Sequence, residues 1–133
     1  MSGPQLVAIV PSEDLLQSVV EADRRFTLHR VVYDLYARAF PARMGSLVVN
    51  LIFCGGAGEH QGQLTLYSPS GAALSITPFT FTARTFHLQA VALAGVELPE
   101  PGNYALSVEV DGQPALSAPL AVVSLKTDGG GAP

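Results

Sequence analysis

The sequence predicts an all-β fold, an antiparallel β-sandwich of immunoglobulin-like or jelly-roll-like topology. Three observations support this prediction. Turn-forming residues interrupt the chain at short intervals, as in SPSG, LPEPGN and VDGQP. The segments between them are short and rich in Val, Ile, Leu, Phe, Tyr and Thr. Several of these segments alternate apolar and polar residues, which is typical of a strand with one face on a core.

The first part of the chain carries both strand and helix signals. The apolar run LVAIV predicts a strand. In PSEDLLQSVVEADRR, Ser12 is suited to cap a helix, and the leucines and valines that follow recur at helical spacing. We therefore expect a short helix near residues 13–22, with a strand as the alternative. The β-branched and aromatic content of FTLHRVVYDLYARAF favours a strand from about Phe26 to Leu35.

The middle of the chain reads as a series of strands. GSLVVNLIFCG is apolar on both faces from Leu47 to Cys54 except at Asn50, which predicts a central strand covered on both sides. In GQLTLYSPSG, alternate leucines define one apolar face before a turn. The phenylalanines of ITPFTFTARTFHLQAVAL change parity, which predicts a bulge or turn near Ala83-Arg84.

The last third predicts a hairpin and the end of the domain. Tyr104 starts an alternating strand after a Pro-Gly-Asn turn, and Asp111-Gly112 forms a turn that leads into the return strand. Two prolines in that return strand favour an edge position over at least part of its length. We expect one sandwich domain over residues 1–125 and a flexible, glycine-rich tail over residues 126–133.

Composition argues against several classes of function. The 133 residues are 48% hydrophobic and 14% charged, with a net charge of −4, so electrostatics favours neither nucleic acid nor a membrane surface as a partner. The chain shows no signal-peptide pattern and no apolar stretch long enough to span a bilayer. A single cysteine fits a reducing compartment. We expect a cytoplasmic protein.

LIFCGGAGEH, residues 51–60, contains the one cysteine together with glycines and a histidine. Cys54 ends an apolar run, and the glycines suit a hairpin loop, so the structural interpretation is preferred. A catalytic pair of Cys54 and His60 is the weaker alternative, because a reactive cysteine requires an exposed setting that lowers its pKa. No phosphate-loop or nucleophile-elbow motif is present, and no cofactor is predicted.

The histidines and arginines provide the remaining candidate site residues. His29, His60 and His87 are too far apart in sequence for a local metal motif, and no metal site is predicted. Arginines are concentrated in the segment from Arg24 to Arg43, where a solvated strand face is the simpler explanation. Within that segment, Arg38, Phe40 and Arg43 form the best candidate binding surface, since arginines beside an aromatic residue suit an anion or an acidic partner.

The chain resembles a small bacterial family of uncharacterised β-sandwich domains. Four segments carry the resemblance by their order: LVAIV, RRFTLHRVVYDLYARAFPA, LVVNLIFCGGAGEHQGQLTLYSPSG and VELPEPGNYALSVEVDGQP. The resemblance covers about residues 5–123. It implies a sandwich fold and carries no known activity. The segment PSEDLLQSVVEADR departs from the family, which tends to be shorter and more strand-like there.

Three functional hypotheses follow. The first is a non-catalytic protein-interaction or assembly module, with a protein partner or self-association into a homo-oligomer through exposed strand edges. The second is a small-molecule or carbohydrate-binding domain that uses Tyr33, Tyr36, Tyr67 or Phe40 as a platform. The third is an enzyme that depends on Cys54 and His60 or on a histidine-bound metal.

Overall fold

Alternating apolar and polar residues produce eleven β-strands within residues 3–17 and 26–125, the part of the chain that this computed structural model describes. The strands are, in chain order, β1 (Gln5–Gln17), β2 (Phe26–Val31), β3 (Asp34–Ala37), β4 (Ala42–Arg43), β5 (Ser46–Cys54), β6 (Gly58–Tyr67), β7 (Ala73–Ala83), β8 (Phe86–Ala94), β9 (Glu97–Leu98), β10 (Gly102–Val110) and β11 (Gln113–Ser124).

The strands form two main sheets that pack into a sandwich. Sheet A has the order β2-β1-β5-β8, and sheet B has the order β3-β11-β10-β6-β7. The short strands β4 and β9 pair separately. The prediction of an all-β sandwich is confirmed. The core lies between the sheets, where alternate side chains of β5, β6, β10 and β11 are buried: Leu47, Val49, Leu51, Phe53, Leu64, Leu66, Tyr104, Leu106, Val108, Leu120 and Val122.

The expected helix near residues 13–22 is wrong over residues 13–17. These residues continue β1, which pairs antiparallel with β2 up to Gln17↔Phe26. A short isolated helix is only marginally stable, so pairing with a neighbouring strand overrides the helical spacing of the leucines. Residues 18–22 and the glycine-rich tail at residues 126–133 lie outside the described residues.

The central-strand prediction for residues 47–54 is confirmed, because β5 lies between β1 and β8. Its odd-numbered residues are buried in the core, whereas Val48 and Ile52 on the opposite face are half-buried. Asn50 lies on that opposite face and is fully buried. Its Nδ2 donates to Val10 O and to Ser12 Oγ, each at 2.8 Å, which fastens β5 to β1 in one register.

One strand pair departs from the antiparallel prediction. β3 runs parallel to β11, with Leu35 opposite Val122. The chain changes sheet within two residues just before this pair: Val32 N donates to Pro11 O of sheet A, and Tyr33 O accepts from Ala121 N of sheet B. It also reverses direction there, because β2 runs antiparallel to β1 whereas β3 runs parallel to β11, and β1 and β11 start at the same end of the sandwich.

The predicted turns near Ala83-Arg84 and at Asp111-Gly112 are confirmed. β7 ends at Ala83 as an edge of sheet B, and β8 starts at Phe86 as an edge of sheet A. Asp111 and Gly112 both have positive φ, at 52° and 80°. This left-handed conformation at both central residues suits a tight hairpin turn.

Tyr104 anchors the entry to β10. Its side chain is 1% exposed, and its hydroxyl donates to Glu100 O at 2.5 Å while accepting from Glu100 N at 3.3 Å. Burial raises the pKa of the Tyr104 phenol. A tyrosine bonded to backbone a few residues upstream is similar to the tyrosine corner of immunoglobulin-like sandwiches.

Candidate functional site

His60 and Asp111 form a titratable pair in direct contact, with 2.6 Å between His60 Nδ1 and Asp111 Oδ2. His60 lies on β6 and Asp111 lies in the β10–β11 turn, 51 residues away. Asp111 Oδ1 accepts from Gln61 N at 3.1 Å. Asp111 N also donates to Gln61 O at 2.8 Å. The carboxylate and its backbone therefore fasten the hairpin turn to β6.

The electrostatics of this pair favours two opposite charges. The hydrogen bond that His60 donates to the Asp111 carboxylate, with a second bond to the carbonyl of Ala57, raises the pKa of His60 above its ordinary 6.5. The same bond to His60, with the bond from Gln61 N, lowers the pKa of Asp111 below its ordinary 3.8. Since His60 Nε2 lies 2.9 Å from Ala57 O, both ring nitrogens are occupied. A ring held in this way has no nitrogen available to accept a proton from a substrate.

Cys54 and His60 lie on strands of different sheets. Cys54 ends β5 in sheet A, with Gln5 and Phe86 as its register partners, whereas His60 belongs to sheet B. The thiol is half-buried. The glycine turn between the two strands contains Gly55, Gly56 and Gly58, all with positive φ. The glycines form a turn as expected, but the hairpin prediction is wrong, because β5 and β6 do not pair and the turn carries the chain from sheet A to sheet B.

An aromatic cluster brings two of the three histidines to the same end of the sandwich. The ring of Phe81 stacks on His60 at 5.8 Å, on His87 at 5.4 Å and on Phe53 at 4.3 Å between centroids. His87 Nε2 lies 2.9 Å from Gln89 Oε1. The side chain of His29 lies outside the described residues. Over residues 3–17 and 26–125, no three His, Cys, Asp or Glu side chains form a group suited to a metal ion.

The candidate surface of Arg38, Phe40 and Arg43 is only partly exposed. Arg38 is exposed, whereas Phe40 is half-buried and packs against the core. Arg43 is exposed, and its Nη1 donates to Gly95 O at 2.9 Å, so its guanidinium braces the loop after β8. The three residues are close in sequence. Among the described residues, no side-chain hydrogen bond joins one of them to another; the bond that Arg43 donates goes to Gly95 O.

Arg43 also lines an open cleft of about 640 Å³. Asp34 and Tyr36 of β3 line the same cleft, and Tyr36 is 59% exposed. The sequence indicated Tyr36 and Arg43 as candidate binding residues but did not indicate Asp34. The three residues come together because β3 pairs parallel with β11, and no local sequence pattern predicts this pairing. Tyr33 is 62% exposed, and Tyr67 is half-buried on sheet B.

Strand β8 presents the longest unprotected sheet edge in the part of the chain that the structure describes. All nine of its residues pair with β5 on one side, and it ends sheet A on the other. Its sequence, FHLQAVALA, contains no Asp, Glu, Lys, Arg or Pro. Phe86 is 48% exposed, and Ala90, Ala92 and Ala94 on the same face are exposed. Edge strands of this kind are templates for pairing with another chain.

Comparison with known proteins agrees with the resemblance in the sequence. The family model of DUF6941, a family of unknown function, matches residues 17–123. No curated protein matches the chain. The described residues form no helix that is long and apolar enough to cross a membrane.

Proposed function

The chain belongs to DUF6941, a family of unknown function, and we propose that it is a non-catalytic protein-interaction module whose partner adds a β-strand to the free edge of β8. The observation that supports this proposal is the nine-residue β8 edge, which has no charge, no proline and no strand partner on its outer side among the described residues. Strand addition supplies affinity through main-chain hydrogen bonds, and side chains of the edge strand supply specificity.

The two edges of sheet B support this choice because each carries a known protection against edge pairing. On one edge, β3 has four residues and covers only residues 121–124 of β11, and the rest of β11 contains Pro114 and Pro119. On the other edge, β7 contains Pro78 near its middle. Short length and proline are usual devices that prevent association between edges. Protection of both edges of sheet B and not of β8 is the pattern expected when β8 is kept for a partner.

The arrangement of polar groups also favours binding over catalysis. His60 and Asp111 bond to each other and to backbone, and Cys54 lies on a different sheet from His60. One half-buried cysteine supports our further proposal of a cytoplasmic location, where thiols stay reduced.

Affinity capture with matched edge variants tests the proposal. Ala92→Lys places a charge on β8, and Thr82→Lys places the same charge on β7; both positions are exposed. We expect a defined partner, or an untagged copy of the protein, to bind wild type and Thr82→Lys equally and to be lost with Ala92→Lys. Equal capture by all three baits would show that β8 is not the binding edge.

A second candidate function is the binding of a small polar ligand, such as a sugar, in the cleft beside β3. The observation in its favour is the grouping of exposed Tyr36 with Asp34 and Arg43 around about 640 Å³ of open space. Aromatic platforms with a few polar groups are typical of such sites. A thermal-shift screen of neutral and acidic sugars tests it. A stabilisation that Tyr36→Ala removes would support the cleft, and no shift with any sugar would reject it.

A further inference from the structure

The β8 edge has a sequence that is complementary to itself. We infer that the partner strand is β8 of a second copy of this chain, paired antiparallel about a two-fold axis at Ala90. This inference rests on the proposed function and names its partner. The resulting sheet would contain eight strands in the order β2-β1-β5-β8 followed by the same four in reverse, because the two β8 strands would meet at the centre.

Side-chain size supports this register. On the exposed face of β8, the large residues Phe86 and Leu88 occupy one half, and Ala92 and Ala94 occupy the other. Antiparallel pairing about Ala90 places each large residue of one copy opposite an alanine of the other: Phe86 opposite Ala94, and Leu88 opposite Ala92. Directly opposed side chains are the closest contacts across a strand pair, so alternation of large and small residues allows the two strands to approach without a clash.

Cysteine cross-linking tests both the partner and the register. In a Cys54→Ser background, Ala90→Cys places the two new thiols next to each other on the axis, where opposed Cβ atoms are roughly 5 Å apart. Ala94→Cys is the matched control on the same face, because its two copies would be about 27 Å apart along the strands. We expect mild oxidation to produce a disulfide dimer from Ala90→Cys and not from Ala94→Cys. A mixture of Phe86→Cys and Ala94→Cys chains should cross-link as a heterodimer.

Sedimentation provides an independent readout without a covalent bond. Sedimentation of the wild-type protein from about 1 µM to about 1 mM covers the range of weak association, and we expect a concentration-dependent dimer. Ala92→Lys should weaken dimerisation several-fold, because it places a charge on the paired edge opposite Leu88 of the other copy. Thr82→Lys, with the same charge on β7, should dimerise like wild type, and equal weakening by both variants would contradict pairing through β8.

Two results would overturn the inference: a monomer at every concentration, or equal cross-linking through positions 90 and 94. These results are distinct from failure of the proposed function. If the protein is monomeric but Ala92→Lys still loses a defined partner that Thr82→Lys retains, β8 binds a different protein. If neither self-association nor edge-dependent capture occurs, both proposals are wrong.

Discussion

Gly62 illustrates how a single missing Cβ sets the packing of the aromatic cluster. A Cβ at Gly62 would overlap the ring of Phe79, its register partner on β7. The ring of Phe79 therefore occupies the space above the glycine. Phe79 in turn lies 6.0 Å from Phe81 and 6.4 Å from Phe53 between ring centroids, so its position affects the rest of the cluster.

We predict that Gly62→Ala destabilises the protein by about 1–3 kcal/mol, because the added methyl displaces the Phe79 ring. Urea denaturation measures the change in free energy of unfolding. In a Phe79→Ala background the space is open, and the cost of Gly62→Ala should nearly disappear. The same cost in both backgrounds would show that backbone strain, and not the ring, opposes the methyl.

Tyr104 supports a second prediction at the level of one hydroxyl group. Tyr104→Phe keeps the buried ring but leaves Glu100 O and Glu100 N without their hydroxyl partner. We predict a loss of about 1–2 kcal/mol in the free energy of unfolding. Tyr33→Phe is the control, since Tyr33 is 62% exposed, and it should unfold like wild type. Loss of stability in both variants would contradict the specific role of the Glu100 contacts.

Individual residues differ in how far the sequence could predict them. The burial of Tyr104, Leu106 and Val108 follows from simple alternation, and the structure has the same alternation. The contact of His60 with Asp111 could not be predicted, because the two residues are 51 positions apart and Asp111 already had a sufficient explanation as a turn residue. The contact arises because β10 pairs with β6, and the pairing of strands that are distant in sequence leaves no local sequence pattern.

At the scale of elements, the His60–Asp111 contact joins the β10–β11 turn to β6, and this connection should depend on pH. Because the pKa of His60 is raised in the folded state, protonated His60 contributes to the free energy of unfolding. This contribution is fully present below pH 6.5 and is lost as pH rises through the folded-state pKa. Because the pKa of Asp111 is lowered in the folded state, ionised Asp111 also contributes to the free energy of unfolding. This contribution is present above pH 3.8 and is lost as pH falls through the folded-state pKa.

We therefore predict that the stability difference between wild type and His60→Gln is largest between about pH 4 and 6.5 and decreases on both sides. Chemical denaturation across this pH range measures it. Asp111→Asn, which tolerates the positive φ at this position, should remove the same pH-dependent difference. A difference that stays constant with pH would show that packing of the His60 ring, and not its charge, stabilises the turn.

The first strand shows why local pattern was insufficient at this scale. Leu15, Leu16, Val19 and Val20 recur at helical spacing in the sequence, yet residues 14–17 pair with β2. A strand partner satisfies the backbone over the whole segment, whereas a helix of about ten residues leaves its ends unsatisfied. By contrast, β5 and the β10–β11 hairpin follow their patterns closely because burial and turn chemistry agree there.

At the scale of the whole molecule, dimerisation through β8 should link thermal stability to protein concentration. Association of folded copies stabilises the folded state by mass action. We predict that the Tm of wild type rises by a few degrees as concentration increases from about 1 µM to about 1 mM. The Tm of Ala90→Lys should not change with concentration, because the variant places two like charges on the axis. Thr82→Lys on β7 should behave like wild type, and a flat Tm for wild type would contradict a dimer of folded chains.

The change of sheet between β2 and β3 has a consequence for mechanical load. The start of β1 lies beside the start of β11, since Gly3 and Gln5 border the same cleft as Gln113, and β11 then runs to the far end of the sandwich, where Val122 is opposite Gly102. Tension applied between Gln5 and Ser124 therefore acts along the strands. It loads the β3–β11 bonds in shear, all at once, instead of opening them one by one like a zipper. We expect the domain to resist stretching along this axis, with a rupture force governed by its unfolding rate.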